Sequence, residues 1–573
     1  MILTDKRERR SALGMMLFLV SPTLLGLIMA DNISSADFRY MANTTAGDIW
    51  AYMLYFTAGI ACYGMGLAFF KRRTFFYIAM LTFVPAGIDI VHLILNGATT
   101  SLLFLYTCAI AEPGELWELF TTYWWVLGTA MTLWTIYLVL NRRYIKNEYT
   151  IKNPVWRYLI VGLGLIFYVS CGRMEPVRRS NPTNIYLQTA EIIRLQRTIK
   201  NADDVLRNFR FGATYMGGSE TDKSEGEELV VFLVGETSRY DHWQLNGYER
   251  ATSPRLIERG EQILSFDSCY SVSNLTAVSV PMMLSRATPT EQERLYQEKS
   301  LPEAFGEAGY RTAWIADQSF TNEQLLRISS ACDASYYFEA GSKLQRSYMD
   351  SVLLEPLAQE LQASKGQKEM IVIHSLGCHF KYSARYPKSF SVFEPDLKER
   401  DIRAMIEDMD IKSGRLIRDR VVLNEIRELF VNSYDNAILY TDYFIDAVIR
   451  QLEQTGRPAV LVYVGDHGEN LLDDEKNMLM HGTYYGSKYE YHVPLFVWTS
   501  QQYQEAYPKQ VRAMRQNKDK VFSTMHLFHS LLDLGHIRMA DWEPTKSLSS
   551  DSCRGEHPII GLDANLKPKE LPL

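Results

Sequence analysis

Five apolar runs crowd the first 171 residues of this 573-residue chain, at 11–30, 49–70, 74–96, 119–140 and 155–171. About 20 apolar residues cross the hydrocarbon core of a bilayer as a helix. A helix is also one of the two structures that satisfy their own backbone there. The runs therefore predict an α-helical transmembrane bundle of five spans. Lys6-Arg-Glu-Arg-Arg10 precedes the first run, as it would a cleaved signal peptide. However, Ile28-Met-Ala-Asp31 is a poor small-residue cleavage site, and four more runs follow.

Positive charge orients the bundle. Lys6, Arg7, Arg9 and Arg10 precede the first span, Lys71, Arg72 and Arg73 fill the loop between the second and third, and Arg142, Arg143, Lys146 and Lys152 lie between the fourth and fifth. The other two loops are poor in Lys and Arg, and the second of them carries Glu112, Glu115 and Glu118. The alternation predicts an N-terminus inside and everything after the fifth span outside. Arg173, Arg178 and Arg179 on the outer side are tolerated before a long translocated domain.

The remainder reads as a connector at 172–227 and a soluble α/β domain at 228–573, which holds ten of the eleven histidines. Asn184-Ile-Tyr-Leu-Gln-Thr-Ala-Glu-Ile-Ile-Arg-Leu-Gln-Arg197 has helical periodicity with an apolar face, suited to a membrane surface or a bridge between domains. The polar stretch 217–226 reads as a joint. A net charge of −7 without a basic tract argues against nucleic acid as a partner. Cys269, Cys332, Cys378 and Cys553 fall in the outer part, where disulfides persist, and allow three full pairings. None has CxxC spacing, which excludes a thiolate zinc site of that type.

Two distant segments end strand-like runs on metal-ligand side chains: Leu229-Val-Val-Phe-Leu-Val-Gly-Glu236 and Ala459-Val-Leu-Val-Tyr-Val-Gly-Asp-His467. Such runs read as buried strands of a mostly parallel sheet with helices on both faces. Open α/β sheets bind ligands at the carboxyl ends of their strands. Glu236, Asp466 and His467 are thus expected to be neighbours, and two carboxylates with an imidazole suit zinc with one position open. Between them lies Ser271-Val-Ser-Asn-Leu-Thr-Ala-Val-Ser-Val-Pro281. A hydroxyl at a helix N-terminus beside a divalent cation makes a nucleophile, and Ser271, Ser273, Thr276 and Ser279 are all candidates. Helix capping alone would also place Ser and Thr there. Asn274-Leu-Thr276 matches the N-glycosylation sequon.

Gly-Glu-Thr-Ser-Arg-Tyr-Asp-His-Trp-Gln-Leu-Asn-Gly-Tyr (235–248), Thr276-Ala-Val-Ser-Val-Pro281 and Gly-Asp-His-Gly-Glu (465–469) resemble the motifs of the lipid A phosphoethanolamine transferases. These are membrane-anchored members of the alkaline phosphatase/sulfatase superfamily. The resemblance extends to the layout of five spans followed by a periplasmic catalytic domain. It implies a zinc enzyme in the inner membrane of a Gram-negative bacterium, monomeric, with Glu236, Thr276, Asp466 and His467 as metal ligands and Thr276 as nucleophile. The donor it implies is phosphatidylethanolamine and the acceptor an envelope glycolipid, lipid A or lipopolysaccharide core. His379, His481, Glu469 and Gln318 match positions that bind substrate or a second zinc. Phosphoglycerol transferases share this layout, but Glu-Thr-Ser-Arg and Asn-Gly-Tyr fit them less well. A sulfatase reading is disfavoured because no Cys-x-Pro-x-Arg motif is present.

The chain departs from the family pattern at several points. Val272 and Met282 stand where a disulfide would brace the nucleophile loop, so packing is expected to hold it. Gln318 replaces an asparagine, and Asn322 replaces a lysine. Asp89 and His92 lie three apart on one face of the third span, where ionisable groups are paired or functional. Asn96 and Thr100 keep the spacing of residues implicated in lipid head-group contact, but Phe104 replaces the acid expected next.

Overall fold

The computed structural model describes residues 6–29, 45–80, 100–110, 124–178, 180, 182–217, 227–318, 323–337, 349–398, 420–484 and 486–571. The chain divides into two compact units, Met1–Gln196 and Arg197–Leu573.

The first unit is helical: α1 (Lys6–Met29), α2 (Thr45–Phe69), α3 (Arg72–Met80), α4 (Leu102–Ile110), α5 (Trp124–Tyr144) and α6 (Pro154–Cys171). Four of the apolar runs coincide with α1, α2, α5 and α6. The run at 74–96 begins within α3 and continues outside the described residues, as do Asp89, His92 and Asn96. Among the described residues α6 is the one helix long and apolar enough to cross a membrane by length and hydropathy. α4 was not read from the sequence as an element. Three basic segments converge at one end of this unit. Arg72 Nη2 lies 3.0 Å from Glu8 Oε1, which also accepts from the Lys146 amide at 3.0 Å. The Arg72 amide donates to the Glu148 carbonyl at 2.9 Å. α7 (Thr183–Asn208) contains the stretch of helical periodicity. Thr100 is buried, and its carbonyl accepts from Asn184 Nδ2 at 2.7 Å.

The second unit is built on an eight-stranded sheet: β1 (Leu229–Gly235), β2 (Ile263–Tyr270), β3 (Arg311–Ala316), β4 (Ala334–Tyr337), β5 (Glu369–His374), β6 (Ala459–Gly465), β7 (His492–Thr499) and β8 (Val521–Ser523). Its spatial order is β8-β2-β7-β6-β1-β5-β3-β4. β1 pairs in parallel with β5 and β6, and β5–β3, β3–β4 and β8–β2 are also parallel. β7 runs antiparallel to both β2 and β6, so the sheet is mostly parallel, as expected, with one reversed strand that makes it mixed. Nothing in the composition of Val493-Pro-Leu-Phe-Val-Trp498 marks its direction, because a strand buried on both faces reads alike either way.

Alternation along β1 explains its unbroken apolar run. Val230, Phe232 and Val234 enter one core, and Leu229, Val231 and Leu233 enter the other. β6 divides in the same way. α9 (Leu301–Glu307) and α11 (His526–Leu534) pack on the first face, and α10 (Arg420–Gln454), 35 residues long, packs on the second. α8 (Thr276–Met283) follows the loop after β2.

Candidate metal centre and nucleophile

β1 and β6 are adjacent with Gly235 opposite Gly465, so the two ligand-bearing strand ends lie side by side. The chain then turns at Thr237, which holds φ at 56°, a strained value for a β-branched residue. Its amide donates to Asp466 Oδ1 at 2.9 Å and its hydroxyl to Glu236 Oε1 at 2.6 Å. Gly468 is required on the other strand end, because a Cβ there would sit 2.0 Å from the Tyr489 carbonyl oxygen.

Ligand atoms of Glu236, Asp466 and His467 all lie within 4.8 Å of one another, and all three residues are buried. Thr276, the first residue of α8, places Oγ1 3.0 and 3.2 Å from the two Glu236 carboxylate oxygens and 3.1 Å from His467 Nε2. Ser271, Ser273 and Ser279 are buried. Ser271 Oγ donates to the Asp466 carbonyl at 2.5 Å and so braces the loop. Of the four candidate hydroxyls, Thr276 is the one that meets the ligand cluster and keeps partial exposure.

A second group shares Glu236: its carboxylate, His379 and His481 also offer ligand atoms within 4.8 Å. His481 Nδ1 is 3.2 Å from Glu469 Oε2, and the His467 and His481 rings lie with centroids 4.1 Å apart, tilted 42° to one another. Gln318 Nε2 donates to Glu236 Oε2 at 3.1 Å and to the Ser375 carbonyl at 2.8 Å. The sequence-derived residues of this domain thus gather in one place.

The electrostatics suit a cation. Burial pushes Asp466 up to about 7, with the Glu236 carboxylate as the second cause. Burial pulls Glu236 the same way, but His467, His379 and His481 outweigh it and hold its carboxyl well below the usual range. Burial likewise opposes charge on His467, and the two carboxylates reverse it and raise that imidazole. Asp466 Oδ2 is buried and has no hydrogen-bond donor among the described residues. His467 Nδ1 lies 2.8 Å from the Gly468 carbonyl oxygen, and His379 Nδ1 lies 2.7 Å from that of Phe380. Protons at both Nδ1 atoms leave each Nε2 lone pair for a metal or substrate. Two carboxylates, an imidazole and a hydroxyl fit zinc.

Sequence reasoning missed several supporting residues. Asp350 accepts from the Leu376 and Gly377 amides at 2.7 and 3.1 Å and so shapes the turn carrying His379. Gly377 lies against Glu236, where a Cβ would come within 2.7 Å of its carbonyl oxygen. Glu490 closes a capping box with Ser487, a Ser-x-x-Glu pattern visible in the sequence. Asn274 is buried, which removes the sequon as a modification site. Cys269, Cys332, Cys378 and Cys553 are all unpaired. Val272 and Met282 are buried, as a packed loop requires. Asn322 lies outside the described residues.

Comparison with known proteins matches residues 228–537 to the family model described as Sulfatase. The chain is 29% identical over 313 residues to the Kdo(2)-lipid A phosphoethanolamine 7''-transferase of Escherichia coli K12, covering 53% of this chain and 49% of that protein. The chain thus spans about half the length of the curated relatives it matches. Among solved structures, the integral membrane protein lipooligosaccharide phosphoethanolamine transferase A (EptA) of Neisseria meningitidis aligns with a TM-score of 0.68 at 20% identity, over 94% of this chain and 99% of that one. The zinc complex of the C-terminal periplasmic domain of EptC from Escherichia coli aligns with a TM-score of 0.51 at 23% identity, over 60% of this chain and 91% of that one. At these identities the two structures establish likeness of fold.

Proposed function

The chain belongs to the sulfatase family, and from that premise we propose that it is a membrane phosphoethanolamine transferase. It moves phosphoethanolamine from phosphatidylethanolamine to an envelope glycolipid, lipid A or lipopolysaccharide core. Residues 1–171 form its five-span anchor in the inner membrane, 172–227 its bridging helix and linker, and 228–573 its periplasmic catalytic domain. The observation that carries the reading is the placement of Thr276 Oγ1 within 3.2 Å of both Glu236 oxygens and of His467 Nε2. The motif resemblance and the similarity to a lipid A phosphoethanolamine transferase supply the substrate class. A lipid donor and a lipid acceptor explain the anchor, since confinement to one bilayer raises their effective concentration.

Glu236, Asp466 and His467 would hold the zinc, together with Thr276 Oγ1. Zinc bound there supplies Lewis acidity, which lowers the hydroxyl pKa and offsets phosphoryl charge. Thr276 Oγ bonds to phosphorus as the bond from phosphorus to the glycerol oxygen breaks. The threonine proton ends on the released diacylglycerol. His379 and His481, partly buried beside Glu236, face the incoming phosphoryl group and orient it. A glycolipid oxygen then takes the group from Thr276 and returns the proton.

Full-length protein given phosphatidylethanolamine without acceptor should gain a phosphoethanolamine increment on the peptide holding Thr276, read by mass spectrometry. Thr276→Ala should lose transfer while keeping its fold and most of its zinc. An increment on Ser273 or Ser279, or full activity in Thr276→Ala, would overturn the reading.

A further inference from the structure

Three loops bring the reacting groups together: 271–276 with Thr276, 466–469 with the metal ligands, and 480–483 with His481. One short segment, Ser487–Tyr491, is bonded to all of them. The carbonyls of Tyr489, Glu490 and Tyr491 accept, in turn, from the amides of Glu469 at 3.1 Å, Gly468 at 2.8 Å and Ser271 at 2.8 Å. The Glu490 side chain reaches the third loop. It is fully buried, and its Oε1 accepts from Asn274 Nδ2 at 2.8 Å and the Thr483 amide at 3.0 Å. Its Oε2 accepts from Thr483 Oγ1 at 2.5 Å and the Ser487 amide at 2.7 Å. Asn274 adds two bonds of its own. Its Nδ2 donates to the Thr483 carbonyl at 3.0 Å, and its carbonyl accepts from the Gly482 amide at 3.0 Å.

We propose that Asn274 and Glu490 are positioning residues that fix the separation of Thr276 from His481. Asn274 stands two residues before Thr276, and Thr483 stands two after His481. One buried carboxylate thus joins the chain on either side of the reacting groups without touching them. Hydrogen bonds to a buried carboxylate are charge-assisted and free of competition from water, so the joint is stiff. Glutamine cannot replace Glu490 in it. Whichever way its amide turns, an NH2 group meets donors that the carboxylate had accepted. The inference rests on the proposed role of Thr276 as the group that takes the phosphoryl.

The test is a double-mutant cycle on full-length protein, reading the single-turnover rate of adduct formation on Thr276 from phosphatidylethanolamine. A misplacement near 1 Å costs on the order of 100-fold, so Asn274→Ala should slow that step by about 10–100-fold with zinc content unchanged. Glu490→Gln should slow it in the same direction and, keeping the shape, covers the case in which Asn274→Ala does not fold. Because both act through His481, Asn274→Ala combined with His481→Ala should be no slower than His481→Ala alone. Losses that multiply, or full rates in both Asn274→Ala and Glu490→Gln, overturn this inference and leave the proposed function standing. Wild-type protein that forms no adduct on Thr276 overturns the proposed function and this inference with it.

Discussion

The two ends of the central sheet both bury carboxylates, but they neutralise them differently. At the amino end, Arg311 Nε lies 2.5 Å from Glu360 Oε1, and Tyr336 OH donates to Glu360 Oε2 at 2.7 Å. Glu369 accepts from Ser364 Oγ and lies 3.7 Å from Arg457 Nη1. Tyr215 and Tyr507 donate to Glu228. The chain supplies arginines and hydroxyls for its own acids there. At the carboxyl end, Glu236 and Asp466 meet each other, His467 and two threonine side chains or amides. The nearby Arg239 is turned away, with its guanidinium on Asp241 and Asp473. The difference separates two kinds of buried charge: at one end the chain sets arginines and hydroxyls on its acids, and at the other it sets two carboxylates beside an imidazole, the arrangement to which the proposed zinc would bind.

The sharpest way to break this contrast is to remove one charge from each end. Asp466→Asn should cut transfer by about 1,000-fold or more, because several kcal/mol of charge stabilisation depend on the metal site. Its metal-free form should melt no lower than metal-free wild type, since burial and the Glu236 carboxylate already disfavour the Asp466 charge. A clear loss of metal-free stability would place Asp466 with the structural acids.

Arg457→Ala should do the reverse. It removes the bonds of a buried guanidinium to the Glu227 and Gln367 carbonyls and to Ser364 Oγ, a change that costs about 1–3 kcal/mol. Denaturant unfolding should show that loss, while activity per folded molecule stays near wild type. Lost activity with unchanged stability would erase the distinction between the ends.

The smallest effect is in pH. Burial, as the largest cause, pushes Glu369 from 4.5 up to about 8. The native state therefore keeps a proton that the unfolded chain releases, and stability from this group falls as pH rises from 4.5 towards 8. Glu369→Gln should flatten that part of the melting-temperature profile between those values. An unchanged slope would show that Glu369 ionises as freely in the fold as outside it.

The carboxyl end was far more legible in the sequence than the amino end. Glu236 and the pair Asp466-His467 each follow a glycine that closes a Val-rich run, and the parallel register of Gly235 with Gly465 brings them together. The choice of Thr276 among four hydroxyls came from motif resemblance; spacing alone left Ser271, Ser273 and Ser279 open, and only the fold buries them. Arg457 and Glu369 look in sequence like ordinary surface charges before strands, because their pairing depends on which strands become neighbours. The antiparallel direction of β7 and the bonds joining Asn274 to Glu490 were illegible for the same reason, since Asn274 and Glu490 are distant in sequence and carry no periodic signal.

Metal analysis of the purified full-length protein after exhaustive dialysis tests the central claim most directly. The account predicts at least one tightly held zinc per wild-type chain and its loss in Asp466→Ala. Equal zinc in the two proteins, or none in wild type, would contradict it.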